Sequence, residues 1–124
     1  MKTLPSTLLL TAVGALLAGC TPDLTSVQLT QITTPPLEVT VSPAGISLPD
    51  GIAVAVDVMG INDEGDEEDN LSVSAASGSV GSVETETTDR FVLYGISPGT
   101  DTLTFTATSV DGSVDVPVTV TAQP

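Results

Sequence analysis

The chain has 124 residues, enough for one domain, and it carries 16 acids against only Lys2 and Arg90, with no histidine, no tryptophan and one cysteine. Histidine-based acid–base catalysis is therefore excluded, and a net charge of −14 argues against nucleic acid, whose phosphates are held by lysine and arginine. With Phe91, Tyr94 and Phe105 as its only aromatic residues, the chain has almost nothing on which to stack a base or a sugar, and its core must come from valine, leucine, isoleucine and the two phenylalanines.

Met1-Lys2 gives a positive start, and Leu8 to Ala18 an apolar run of 11 residues. That run is too short to span a bilayer but fits the hydrophobic region of a secretory signal. It closes on Leu17-Ala18-Gly19-Cys20. These four residues resemble the lipobox of bacterial lipoproteins. The resemblance implies cleavage before Cys20, lipid on its thiol, removal of residues 1–19, and a mature charge of −15 from the 16 acids and Arg90. Several acyl chains would hold the protein durably on a membrane. Thr21 stands where an aspartate would resemble an inner-membrane retention signal, so an outer-membrane destination, on its periplasmic or surface face, is expected.

Residues 20–36 read as the lipidated cysteine and a flexible tether, rich in threonine and glutamine and ending on Pro35-Pro36; Val27, Leu29 and Ile32 offer a short strand as the alternative. The folded domain is expected over residues 37–124. Leu37, Val39 and Val41 alternate with polar residues until Pro43, and Gly45 to Pro49 suggests a short edge piece. Ile52, Val54, Val56 and Val58 form an inward row, with Asp57 facing water. Leu71, Val73 and Ala75 make a weaker strand, and Val80 and Val83 lie in a Gly/Ser-rich crossing. Phe91 and Leu93 precede Gly95 to Gly99; then Leu103, Phe105 and Ala107 alternate with threonines, and Val114 to Val120 repeat the pattern after Asp111-Gly112, a dipeptide suited to a hairpin. The expectation is an all-β fold, an Ig-like antiparallel β-sandwich of about seven strands.

Val39-Thr40-Val41-Ser42-Pro43, Gly95 to Thr100 and Leu103 to Ala107 together resemble the bacterial Ig-like domains of the intimin-type repeat group, over Leu37 to Ala122. The resemblance implies no catalytic residues. It implies a spacer, scaffold or adhesive module of cell-surface and periplasmic proteins. Separately, the chain is expected to be a monomer held to the membrane by its lipid, with an envelope or surface protein as its candidate partner.

Between the second and third strands, Asn62 to Asn70 holds six acids in nine residues: Asp63, Glu64, Asp66, Glu67, Glu68 and Asp69. Their oxygens could ligate calcium around Gly65 in an adhesin-like domain, but the spacing is not that of an EF-hand. The favoured reading is a solvated, mobile acidic loop without a cofactor. Other expectations are an ion pair of Arg90 with Glu84, Glu86 or Asp89, a surface or rim position for Tyr94, and no enzymatic activity. An accessory role in an envelope complex is the remaining alternative.

Overall fold

The computed structural model describes residues 21–123. Ten strands build two facing sheets: β1 (Leu24–Gln31), β2 (Thr40–Ser42), β3 (Gly45–Pro49), β4 (Ala53–Asn62), β5 (Glu67–Glu68), β6 (Leu71–Ala75), β7 (Val80–Glu84), β8 (Arg90–Gly95), β9 (Gly99–Ala107) and β10 (Val114–Thr121). The first sheet runs β1-β4-β8-β7, with the short β5 also on β4; the second runs β2-β3-β10-β9-β6. This is the expected all-β sandwich, with ten strands rather than seven and with one sheet mixed, because β3 and β10 pair parallel from Val118↔Ile46 to Thr121↔Pro49.

The core follows from the pleat. Alternate side chains of β4 (Val54, Val56, Val58), β8 (Phe91, Leu93), β9 (Leu103, Phe105) and β10 (Val116, Val118, Val120) are buried between the sheets. Phe105 lies at 0% exposure, on the inward face its alternation assigns it. Val80 of β7 is buried and Val83 is 53% exposed, as expected for an edge strand covered on one face only.

Two expectations are overturned. Residues 24–31 are not a tether: β1 pairs with β4 from Leu24↔Asn62 to Gln31↔Val56, and Leu24 and Val27 are both in the core. The folded unit thus begins near Asp23, fourteen positions before Leu37, where Asp23 bridges Asp111. Leu24 and Val27 stand three apart and cannot share one face of a regular strand. A bulge between Leu24 and Ser26 shifts the register and turns both inward. Gly60 makes room, since a Cβ there would come within 2.7 Å of Leu24 Cδ1 and 3.2 Å of Leu71 Cδ2. Nor is Gly45–Pro49 an edge piece. β3 lies between β2 and β10, and Leu48 is fully buried.

The Asp111-Gly112 turn is also wider than a two-residue hairpin. β9 ends at Ala107 and β10 starts at Val114, and the connection clasps the entering chain: Leu24 N donates to Asp111 O (2.7 Å) and Asp111 N to Pro22 O (3.2 Å). The registers place the start of β1, the end of β4 and the 108–113 connection at one pole. The end of β10, at Thr121 beside Pro49, lies at the other. The chain enters at one end of the sandwich and leaves at the opposite end.

Candidate functional site

The densest chemistry lies at the pole where the chain enters. Asn62 occupies the next inward position after Val54, Val56, Val58 and Gly60, and at 4% exposure it is buried. Its side chain organises the acidic segment. Oδ1 accepts from Glu64 N (2.8 Å) and Asp66 N (3.1 Å), and Nδ2 donates to Glu68 Oε2 (2.6 Å). Asn62 N donates to Asp66 O and Gly65 N to Asn62 O, each at 2.9 Å, with Gly65 in the left-handed region at φ +85°. The other Glu68 oxygen accepts from Ser109 Oγ at 3.2 Å, which joins β5 to the connection between β9 and β10. The expected mobile loop is instead a closed hairpin stapled by a buried asparagine.

Asp63, Glu64, Asp66, Glu67 and Asp69 are exposed on this hairpin, and Glu68 is half-buried. Among the described residues no three acidic or thiol side chains converge closely enough to hold a metal ion. The six acids named from the sequence are thus neighbours in one segment without forming one coordination sphere.

Asp89 closes the same pole. At φ +62° it sends its carboxylate across to the other sheet, accepting from Leu71 N (Oδ1, 2.7 Å) and Asn70 N (Oδ2, 3.0 Å). Asp89 therefore caps the start of β6 and is no partner for Arg90. Arg90 pairs with Asp57, its cross-strand neighbour on β4, through Nε–Oδ1 at 2.6 Å and Nη2–Oδ2 at 3.0 Å. The hydrogen bond from Arg90 holds the Asp57 carboxyl below the ordinary carboxylate value. Asp57 thus faces outward as expected, though engaged by the one cation of the described residues. Beside this pair, an open depression of about 510 Å³ runs over Met59 between β1 and the rim formed by Glu67, Asp69 and Asp89.

At the opposite pole stands a residue the sequence reading passed over. Asp101, 5% exposed, begins the inward row continued by Leu103, Phe105 and Ala107. Oδ1 accepts from Ser77 N (2.7 Å) and Thr102 N (2.8 Å), and Oδ2 from Ser79 N (2.9 Å) and Val80 N (3.1 Å). Burial alone would push its carboxyl up, but the four backbone N–H groups together outweigh burial and hold it below the ordinary value. Asp101 thereby satisfies the connection between β6 and β7 as it crosses from one sheet to the other. Its signal in the sequence is an acid in phase with an apolar row. Tyr94 lies on the outer face of the first sheet, covering Gly81, where any Cβ would meet the ring at 2.3–2.6 Å.

No family model matches the chain, and no curated protein does. Among solved structures, it is similar to domains 1–6 of the surface-layer protein SbsC, at 18% identity and a TM-score of 0.53 over 83% of this chain and 14% of that one. It is also similar to domains 4 and 5 of the S-layer protein SbsC, at 23% identity and a TM-score of 0.50 over 72% of this chain. The match spans about half of that two-domain chain, 54%. The likeness is one of fold. Cys20 lies outside the described residues, and among those residues no helix is long and apolar enough to cross a membrane.

Proposed function

We propose that this chain is a lipid-anchored β-sandwich of the bacterial envelope, on the outer membrane, with a structural or display role and no enzymatic one. The carrying observation is Leu17-Ala18-Gly19-Cys20 after the apolar run, set immediately before a sandwich that begins near Asp23. The passage of the chain from one pole to the other supports the structural part, since it suits a module that holds its neighbours apart. The fold it shares with domains of a surface-layer protein is consistent with that role, as is its resemblance to intimin-type repeats. The acids of residues 63–69 are read here as a solvated surface of the module, since five of the six are exposed. Fractionation tests it. The mature protein should travel with membranes, and Cys20→Ser should release it or leave it unprocessed. A wholly soluble wild type with an unmodified thiol would refute the anchor.

A further inference from the structure

Resting on the display role proposed above, we infer that the outer face of the first sheet docks an amphipathic helix of a partner protein, apolar along its middle and edged with lysine or arginine. Ile32, Met59, Val83 and Ile96 are the large apolar side chains left exposed among the described residues, at 40, 37, 53 and 54%. All four fall on this one face. Ile32 N donates to Ala55 O at 2.8 Å, and the registers continue as Ala55↔Val92 and Val92↔Val83. Ile32, Ala55, Val92 and Val83 therefore form one row from the end of β1 across β4 and β8 to β7. Ile96 N donates to Ser79 O at 2.7 Å, which extends the β7–β8 ladder and keeps Ile96 on the side of Tyr94. Met59 opposes Gln28 farther along β4. The outer face of the second sheet is built differently, with Thr100, Thr102, Thr104 and Thr106 from β9 and Ser72 and Ser74 from β6. Apolar exposure without a role would be shared between the faces; gathered on one, it marks a contact surface.

Charge decides what covers it. Within the face, Asp57 and Arg90 neutralise each other through two hydrogen bonds. The border is acidic: Glu67, Asp69 and Asp89 rim the depression over Met59, and Glu84 and Glu86 follow Val83. A second copy brings the same acids and, with Arg90 taken, no free cation among the described residues to set against them. An anionic lipid surface brings none either. A cationic flank on the partner answers these acids, and complementary charge also steers the encounter. Four strands about 4.8 Å apart make the apolar row about 14 Å wide, which suits a single helix of about 10–12 Å diameter.

The test uses the chain from Cys20 with its thiol blocked, so the result is separate from the anchor, which fractionation decides. The probe is a synthetic amphipathic helix of about 20 residues, with leucine on one face and lysine along its flank. At physiological salt it should bind the wild-type chain about tenfold more tightly than a variant carrying Ile32→Thr, Val83→Thr and Ile96→Thr, whose charge is unchanged. Changing the peptide's lysines to glutamate should abolish binding, and changing its leucines to glutamine should weaken binding as much as the triple substitution does. These peptide arms leave the protein untouched, so they read the apolar requirement even where the variant loses stability. Amide NMR signals of β4, β7 and β8 should shift most in the complex. Equal affinity for the leucine and glutamine peptides, equal affinity for the glutamate peptide, or larger shifts in β9 and β10 would each overturn the inference. So would a wild-type dimer, or binding to phosphatidylglycerol vesicles, that the triple substitution removes, since the face would then belong to a second copy or to lipid.

Discussion

Replacing Asp101 by asparagine isolates one buried carboxylate from everything else in the molecule. Each carboxylate oxygen accepts two backbone N–H groups, Ser77 and Thr102 on one side, Ser79 and Val80 on the other. An amide keeps one oxygen and turns an NH2 toward the other pair, whichever way it flips. Two donors lose their acceptor at a site only 5% exposed. At about 1–3 kcal/mol for each unsatisfied buried group, the loss is about 2–6 kcal/mol, against a total of about 5–15 kcal/mol for a whole domain. Urea unfolding of the soluble chain from Thr21, with and without the substitution, reads this loss directly at pH 7. The pH dependence supplies the sign. A carboxyl held below its ordinary value of 3.8 contributes stability that is present above that value and lost as pH falls through the folded-state value. The difference between the two proteins should therefore shrink as pH drops below the ordinary value, while the contribution of Asp57, also held low, is common to both and cancels. A loss below about 1 kcal/mol at neutral pH, or a difference that does not shrink in acid, would refute the account of Asp101 as the acceptor that closes this pole.

Phe105→Ala should cost about 3–5 kcal/mol in the same assay, since a fully buried ring leaves a cavity; a near-neutral result would contradict the core as described. Starting the chain at Leu37 deletes β1, removes Leu24 and Val27 from the core at about 1.5–3 kcal/mol each and bares the edge of β4, so this shorter chain should be markedly less stable or self-associate beside one starting at Thr21. Equal melting temperatures for the two would show that β1 adds nothing to the fold. The melting temperature of the wild type should rise with monovalent salt from low concentration as repulsion among the exposed acids is screened, and millimolar calcium should add little beyond sodium of matched ionic strength. Stabilisation by several degrees that is specific to calcium, and abolished when the 63–69 acids are changed to Asn and Gln, would overturn the reading of that hairpin.

The two-residue alternation of Val54-Val56-Val58, Leu103-Phe105-Ala107 and Val116-Val118-Val120 was legible without a structure, because a strand between two sheets imposes it on adjacent residues. The same alternation held the clue to the two buried polar groups. Asn62 and Asp101 each extend an apolar row by one inward position, one at its end and one at its start. What they bind was not legible, because their partners are loop amides fixed by chain reversal rather than by spacing. Tertiary structure alone decided that residues 24–31 join the sheet, since a bulge breaks the period and the partner residues lie 25 to 38 positions on, from Gln31↔Val56 to Leu24↔Asn62. It also decided that Arg90 meets Asp57, 33 residues away, in preference to the acids beside it in sequence, because cross-strand register sets which side chains stand opposite. The parallel pairing of β3 with β10 is of the same kind. Local pattern specifies which face of a strand is buried, whereas the neighbour of that strand is chosen by the packing of the whole chain.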